Sequence, residues 1–444
     1  MLNAKQQYNF DEAEMSSFGI EVGDVLNQVQ SHLGDIQLTA RRFSSANLTF
    51  DNSSVQDLVN ESWTQLIARR CGAQSTAFHS FSSMNAEAII ETLEGAATVE
   101  EQATPKIASI NQHAAGLDLK LHRALSNADD FHELADAIRT NIVHESERSK
   151  STTDLNGQLK LWRQVTFVGS GLKVMGTFQG ALDAAIEFNA AFGDTLTQVH
   201  APESFLPIAL MGARCLQRNG NLPSVEGSSL TALPKVVIHP RALEKLLRRF
   251  SLTAIRDYLL DNVESLNAPG LFLVDDPSIE GLWTARGFDD LGRQTGRQAF
   301  VLRGQVAERV LSSITPGQHW FPPPTEKYGN NEMPQDSFSG ILVGRGDTPL
   351  QEILHESRLS LLVNDWTVSN VDGDPLAFNA RLLQGVLMRG DTAVGLLRPG
   401  SIKITGHLFG ERNSVLTGAR LSRELQDTGS AVAPFVSSNL RINS

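Results

Sequence analysis

The sequence predicts an α+β protein, in which an N-terminal α+β domain precedes a mostly antiparallel β domain with one long and one short helix. Three observations support this class and the division into two domains. Two segments near the N-terminus place apolar residues at helical spacing and flank a stretch with strand-like alternation. From residue 271 onward, glycine-containing turns separate short apolar runs, which is typical of antiparallel strands. The length of 444 residues exceeds what one hydrophobic core normally supports, so at least two domains are expected.

The N-terminal half begins with a polar segment, residues 1–20, which we predict to be a flexible N-terminus. Apolar spacing predicts amphipathic helices over 21–33 and 86–93, with a strand meander between them. Small, polar or charged composition predicts exposed loops at two later segments, 97–117 and 143–158.

The main domain boundary is predicted near residue 230, because residues 219–234 have the Gly, Pro and Ser content of a linker. The two domains then span 21–230 and 231–444. Just before the linker, the alanine-rich residues 181–192 follow strand-like runs and predict a helix.

The C-terminal domain is predicted to open with a short strand and a long helix that starts at Pro240, where a missing N–H costs nothing. One apolar stripe along this helix predicts a buried face, made of Leu243, Leu246, Leu247, Phe250, Ile255, Tyr258 and Leu259. The short helix is predicted at 348–357, with Thr348 and Gln351 forming a capping box. The remaining apolar runs predict strands.

Charge and cysteine content narrow the class of protein. The net charge of −12 argues against a surface that neutralises nucleic-acid phosphates. Two cysteines, Cys71 and Cys215, give no disulfide framework and no metal-binding pair, so both are predicted to be reduced. The first residues lack the apolar core of a secretory signal, and no window approaches 18 consecutive apolar residues. We therefore expect a cytoplasmic protein with neither nucleic-acid nor membrane partners.

Local motifs for catalysis are weak. The pair His355-Glu356 resembles half of a zinc-binding helix, but Leu359 and Ser360 stand where a second histidine would be needed. His355 is therefore predicted to lie in the last turn of a short helix, where it complements the helix dipole. The acidic pairs Asp275-Asp276 and Asp289-Asp290 precede turn residues, which favours hydrogen bonds to their own backbone over catalysis or metal binding.

The order of motifs in the C-terminal half carries a family resemblance. An opening VVIHPRALEKLL is followed by VDDPSIEGLWTARGFDDLGRQTGRQAFVLRGQV, and the run SIKITGHLFG comes near the end. This series, over about 235–444, resembles the TldD/PmbA family, and residues 46–95 resemble its N-terminal strands and helix more weakly. The resemblance implies intracellular metallopeptidase complexes with one zinc-bearing and one zinc-free subunit.

In the zinc-bearing subunits, the resemblance implies an HExxxH helix after the first C-terminal strand and a cysteine nearer the C-terminus. This sequence has Arg248 and Arg249 where the His-Glu pair would stand, and Thr253 where the second histidine would stand. It has no cysteine after Cys215. Neither arginine nor threonine replaces these zinc ligands, so the chain resembles the TldE/PmbA type. We predict no metal, cofactor or catalytic residue in this chain.

The resemblance further implies that zinc is bound by a TldD-type partner subunit, in a heteromer that degrades or processes unstructured peptides, some of them precursors of natural products. Partner or substrate contacts are expected at Arg248 and Arg249, and at Asn364, Asp365, Trp366 and Asn370. Two other functions stay open at this point. The chain could be a diverged stand-alone enzyme that acts on a small peptide or an amino-acid-derived metabolite, or a peptide-binding protein.

Overall fold

The structure of this chain is a computed structural model. It covers residues 12–443 except 72–74, 96–98, 101–118, 126–127, 151–153, 172, 190, 231–233, 265, 267–269, 280, 309, 311–318, 321–334, 337, 410–414, 417–420, 429–430 and 439. Two β-sheets and the helices that pack against them together account for most of these residues. The α+β class predicted from the sequence is therefore confirmed.

The first sheet is antiparallel throughout and has the strand order β4-β3-β2-β1-β5-β6-β7. Its strands are β1 (Ile36–Asp51), β2 (Val59–Cys71), β3 (Ser75–Phe81), β4 (Val99–Glu100), β5 (Leu155–Ser170), β6 (Lys173–Phe188) and β7 (Phe192–Gln198). Side chains alternate between its two faces. One face is apolar and packs against helices, and the other carries glutamine, threonine, arginine and tryptophan side chains.

Helices cover the apolar face because each has an apolar stripe. They are α1 (Glu12–Leu33), α2 (Ala86–Glu94), α3 (Leu119–Ala124), α4 (Ala128–Ser149), α5 (Leu206–Ala209) and α6 (Met211–Asn219). In α4, Phe131, Leu134, Ile138 and Ile142 are buried at helical spacing, while the charged residues face solvent. The Asn85 side chain accepts hydrogen bonds from the backbone N–H groups of Glu87 and Ala88 and so begins α2.

The second sheet is mixed and contains thirteen strands among the residues described. Its main order is β12-β11-β10-β15-β21-β9-β16-β17-β18-β8, with β19, β20 and β22 attached at the side. The longer strands are β9 (Lys235–Ile238), β11 (Gln298–Leu302), β16 (Ser360–Val371), β17 (Asp374–Arg389), β18 (Thr392–Leu397), β19 (Lys403–His407), β20 (Leu421–Asp427) and β21 (Ala431–Ser438). The shorter ones are β8 (Ser224–Val225), β10 (Leu273–Asp275), β12 (Gln305–Val306), β15 (Ile341–Val343) and β22 (Arg441–Asn443). A separate two-stranded ribbon consists of β13 (His319–Trp320) and β14 (Gln335–Asp336).

In the part of the chain that the structure describes, the helices on the second sheet are α7 (Pro240–Leu247), α8 (Leu252–Asp261) and α9 (Leu350–His355). The prediction of one long helix after Pro240 is wrong in one respect, because the segment forms two helices. The first ends at Arg248, and the Ser251 side chain then accepts a hydrogen bond from the Ala254 N–H and begins the second. The apolar stripe is buried as predicted except at Tyr258, which is partly buried, because both helices pack on the same core.

Three local predictions are wrong for physical reasons. Residues 181–188 lie in β6 rather than in a helix, because pairing with β5 and β7 on both sides outweighs the helix propensity of alanine. The predicted loop at 143–158 is wrong at both of its ends, since residues 143–149 form the last two turns of α4 and residues 155–158 begin β5. The capping box at Thr348 is absent, since α9 starts after Pro349 with no side-chain hydrogen bond at its N-terminus.

The N-terminus and the linker differ in detail from expectation. Helix α1 already begins at Glu12, within the segment predicted to be flexible, and residues 1–11 lie outside the described residues. Just before the predicted boundary, Ser224 and Val225 pair with β18 of the second sheet. The predicted loop at 97–117 lies almost wholly outside the described residues. Among the helices that are described, none has the length and apolar character needed to cross a membrane.

Candidate functional site

The three positions that the family resemblance assigns to zinc binding lie at the break between α7 and α8. Arg248 and Arg249 follow the last turn of α7, and Thr253 lies in the first turn of α8. Arg248 donates hydrogen bonds to the Glu244 carboxylate and the Phe338 carbonyl oxygen, both at 3.0 Å. Its guanidinium group is therefore bound to oxygen acceptors of its own domain. Arg249 is exposed.

These residues do not fit a zinc ion. Zinc in proteins is held by imidazole, thiolate and carboxylate groups, and guanidinium and hydroxyl groups stand at the three positions. No group of three or more His, Cys, Asp or Glu side chains that could hold a metal occurs within the described part of the chain. Cys215, on α6, is buried, and burial raises the pKa of its thiol to about 12, as expected of an unreactive structural cysteine.

The four predicted contact residues on β16 occupy three different environments. Trp366 is only 1% exposed, and its indole N–H donates to the Ala242 carbonyl oxygen at 2.8 Å, so it packs the domain core. Asp365 forms an ion pair with Lys245 on α7 at 2.6 Å. Asn364 is half-buried and Asn370 is exposed. Asn370 and Arg249 are thus the predicted contact residues that present an exposed side chain.

Arg248 also lies next to the place where the two halves of the chain are in contact. Its guanidinium carbon lies 5.8 Å from the ring centroid of Trp283, and Trp283 meets Trp162 of β5 edge to face at 5.3 Å. Trp162 in turn lies 6.2 Å from Phe43, which stacks on Trp63 at 5.2 Å. We call these four rings the aromatic row. It crosses three neighbouring strands of the first sheet and ends beside the position where the family resemblance places zinc.

Sheet register explains why the row forms. Phe43 of β1 is directly opposite Trp63 of β2 and Gln164 of β5, so their side chains leave the sheet on the same face. Trp162 is two residues from Gln164 and therefore lies on that face as well. The sequence signal for this arrangement is strand alternation, but it becomes readable only when the pairing of the strands is known.

A loop of the second half closes over this face. In this segment, residues 281–295, which we call the junction loop, backbone carbonyl groups accept hydrogen bonds from the first sheet. The Thr39 hydroxyl donates to the Asp290 carbonyl oxygen at 2.7 Å, and the Gln179 amide donates to the Trp283 carbonyl oxygen at 2.7 Å. Gln37 likewise donates to the carbonyl oxygen of Leu291.

A buried group of charges fixes the same contact. The Asp290 carboxylate accepts hydrogen bonds from Arg41 of β1 and from Arg286, the latter at 2.7 Å. The side chains of Arg41 and Asp290 are 1% and 0% exposed, and that of Arg286 is 9% exposed. Burial lowers the pKa of Arg286, and the neighbouring Asp290 carboxylate opposes this shift. The arrangement is an ion pair between the two halves of the chain, and sequence inspection had assigned Asp290 to a turn.

The four aspartates of the predicted turns divide into two roles. Asp276 accepts from the Ser278 N–H, and Asp289 accepts from the Leu291 N–H, so the turn role is confirmed for these two. Asp275 instead accepts from the backbone N–H groups of Ser339 and Gly340 across the sheet. Burial raises its pKa to about 7, against these hydrogen bonds, which favour the ionised form. Asp275 is 0% exposed.

A second carboxylate lies beside the aromatic row. Asp183 of β6 accepts a hydrogen bond from the Trp162 indole N–H and another from the Thr197 hydroxyl, both at 2.7 Å. Burial raises the pKa of Asp183, and the hydrogen bonds from Thr197 and Trp162 act in the opposite direction. The carboxylate holds the Trp162 ring in one orientation. Trp162, the ring that joins Phe43 to Trp283, is therefore held in place within the row.

Two histidines have local structural roles, and that of His355 is the one predicted from the sequence. His355 ends α9, in its last turn. His239 joins β9 to α7, where its Nδ1 accepts from the Arg241 N–H and its ring packs against Phe435. Burial lowers the pKa of His239 to about 4, so its imidazole is neutral at pH 7.

The fold and the site define a two-sheet α+β protein in which a polar sheet face meets a β-rich half. Residues 234–439 match the family described as PmbA/TldA metallopeptidase C-terminal domain. The resemblance to the TldD/PmbA family that the motifs of this part of the sequence predicted is confirmed.

Three solved structures share the fold over nearly the whole chain. TldE from Thermococcus kodakarensis is 13% identical, with a TM-score of 0.70 over 96% of this chain and 100% of that one. A protein described as a modulator of DNA gyrase from Bacteroides thetaiotaomicron is 12% identical, with a TM-score of 0.69 over 98% and 99%. A protein of the same description from Thermotoga maritima is 12% identical, with a TM-score of 0.67 over 95% and 99%. No curated protein matches the sequence.

Proposed function

We propose that this chain is the zinc-free, TldE/PmbA-like subunit of a heteromeric peptidase, whose zinc ion is bound by a TldD-type partner. The observation that carries the proposal is the chemistry at the break between α7 and α8. Arg248 is hydrogen-bonded to Glu244 and to the carbonyl oxygen of Phe338, and Arg249 and Thr253 supply no zinc ligand. The likeness in fold to the structure described as TldE supports the same assignment.

The role left to this chain is to bind and shape rather than to cleave. The junction loop already covers part of the polar face of the first sheet and accepts hydrogen bonds from its side chains. The half-buried tryptophan rings of the aromatic row remain next to the break between α7 and α8. In the proposed complex, these rings and the exposed Arg249 form part of the wall around an unstructured peptide substrate.

The direct test is reconstitution with a TldD-type protein that carries the HExxxH motif. Co-purification is expected, with cleavage of unstructured peptides by the mixture and none by this chain alone. A chelator is expected to abolish the activity, because zinc in the partner supplies the Lewis acid. Full peptidase activity of this chain alone in chelator would refute the proposal, as would stoichiometric zinc in the purified chain. A product formed from a small metabolite without the partner would favour a stand-alone enzyme.

The two exposed contact residues allow a sharper version of this test. Arg249→Glu reverses a charge at the end of α7, and Asn370→Arg adds one on β16. Each is expected to weaken association with the partner by about tenfold if it lies in the interface, since like or unpaired charges at an interface are unfavourable. Arg389→Glu, at an exposed position at the end of β17, is the matched control and is expected to leave association unchanged. Equal behaviour of all three variants would contradict this placement of the interface.

A further inference from the structure

An open groove lies at the side of the second sheet that is formed by β10, β11 and β15. Its volume is about 350 Å³, and it is lined by Gly270, Phe272, Arg303, Leu342, Gly344 and Arg345. Phe272 and Leu342 are half-buried and form an apolar floor, while Arg303 and Arg345 are exposed. No carboxylate is among the lining residues. We call this feature the arginine groove. None of its residues belongs to the aromatic row or to the break between α7 and α8.

A third arginine strengthens the positive charge beside the floor. The guanidinium carbon of Arg297 lies 5.9 Å from the Phe272 ring centroid, and its Nε is 3.8 Å from the Asp276 carboxylate. That pair is loose and its arginine is 55% exposed, so it screens little of the charge. A chain with a net charge of −12 thus carries a local cluster of cations around an apolar floor.

The backbone at Arg303 points to a role for its side chain. Leu302 and Gln305 pair across a hairpin, so Arg303 and Gly304 are the two turn residues, with φ values of 53° and 81°. Glycine, asparagine or aspartate is strongly favoured where both turn residues have positive φ. An arginine in this conformation is costly for the fold, and such outliers are concentrated at functional sites. Arg303 is one of three non-glycine residues with positive φ among the residues described.

Two glycines keep the floor open. A Cβ atom at Gly344 would lie 2.5 Å from the Cβ of Phe272, so only glycine lets the strands approach this closely. Gly270 has a φ of 77° and no atom within 4 Å of the position of a Cβ, which leaves free space above it. The groove therefore has room for the side chain of a bound ligand. Its volume is at the small end of ligand sites in proteins, so it suits one residue rather than a long segment.

We propose that the arginine groove binds the C-terminal residue of a peptide, with its apolar side chain on Phe272 and Leu342 and its carboxylate between Arg303 and Arg345. The argument is charge complementarity, because the exposed guanidinium groups match a carboxylate in charge and in planar geometry. An apolar side chain matches the floor. The choice of a peptide as the ligand rests on the proposed function; the apolar carboxylate itself follows from the groove.

Isothermal titration calorimetry on the purified chain tests this site without any partner subunit. The probe is a short unstructured peptide with a free C-terminal leucine, and the comparison is the same peptide with a C-terminal amide. We expect the free acid to bind at least about tenfold more tightly than the amide, and the difference to shrink at high salt. Equal affinity of the two peptides, or no binding of either, would overturn the proposal. Tight binding of an amidated peptide with an internal glutamate would overturn it in favour of an acidic segment.

Variants separate a binding role from a structural one. Arg345→Ala is expected to lower the affinity for the free-acid peptide by at least about tenfold, and Arg389→Ala, the exposed control, is expected to leave this affinity unchanged. Arg303→Gly is expected to lower the affinity similarly. It should leave the melting temperature unchanged or raised, because glycine adopts the positive φ at lower cost. Unchanged affinity in Arg303→Gly together with a lower melting temperature would show that Arg303 is structural. Reconstitution with a zinc-bearing partner does not enter this experiment, so either proposal is able to fail alone.

Discussion

Replacing Asp290 by asparagine tests whether the junction loop is held by buried charge. The Asp290 carboxylate lies between Arg41 of the first sheet and Arg286 of the loop, and its side chain is 0% exposed. Asparagine has nearly the same shape and keeps one acceptor oxygen. The substitution therefore removes the negative charge with little change in packing, and it leaves two buried guanidinium groups facing a neutral side chain.

The expected cost follows from this burial. Removing one partner of a buried ion pair destabilises proteins by about 3–5 kcal/mol, because the remaining charge is left uncompensated. Asparagine retains one hydrogen bond, so we expect a loss of about 3 kcal/mol in the free energy of unfolding, near the lower limit of that range. Typical domains have a total stability of about 5–15 kcal/mol, so the change is large.

Urea denaturation followed by tryptophan fluorescence measures this loss, since Trp162 and Trp283 lie in contact at the same junction. Asp257→Asn is the control, because Asp257 is 57% exposed and pairs with Arg256 on the surface of α8. Exposed pairs of this kind contribute at most about 1 kcal/mol. If the two variants shifted the unfolding midpoint equally, the reasoning about buried charge at the junction would be refuted.

Three further predictions concern the second half of the chain. Gly340→Ala places a Cβ 2.1 Å from the Asp276 carbonyl oxygen and is expected to destabilise the protein by about 2 kcal/mol or more in thermal unfolding; an unchanged melting temperature would contradict the close approach. Burial raises the pKa of Asp275 in the folded state from its ordinary value of 3.8 to about 7, so between these pH values the folded state retains a proton that the unfolded state has lost. The contribution of Asp275 to stability thus falls as pH rises through this window, and Asp275→Asn is expected to gain stability relative to the parent from pH 4 to pH 7; a constant difference would refute it. Trp366→Phe leaves the buried Ala242 carbonyl without its indole donor and is expected to cost about 1–3 kcal/mol in urea denaturation, whereas a neutral effect would show that another donor replaces it.

The sequence predicted elements best where the local pattern and the tertiary environment agree. Helix α2 has a polar cap at Asn85 and apolar residues at helical spacing, and its prediction is confirmed. Residues 181–188 had the alanine content of a helix but lie in β6, where Leu182, Ala184, Ile186 and Phe188 are buried on one face. Their alternation is visible in the sequence, but the strands on either side decided which pattern prevails.

In the candidate site, too, some features were predictable from the sequence and others were not. Arg248, Arg249 and Thr253 were identified from an order of motifs, and their side chains are not among the usual zinc ligands of proteins. The burial of Trp366 and the ion pair of Asp290 were not readable from the sequence, because each depends on a residue more than a hundred positions away. A tryptophan on a half-buried strand suits either a surface contact or a core position, and only packing decides between them.

The sequence by itself determined the α+β class and the family resemblance of the C-terminal half, since composition, periodicity and motif order are local properties of a chain. Tertiary structure alone decided that the polar face of the first sheet meets the junction loop, that four aromatic rings form one row, and that Arg303 and Arg345 share a groove. The physical reason is that these features are contacts between distant segments, and such contacts are set by strand register and burial rather than by neighbours in the sequence.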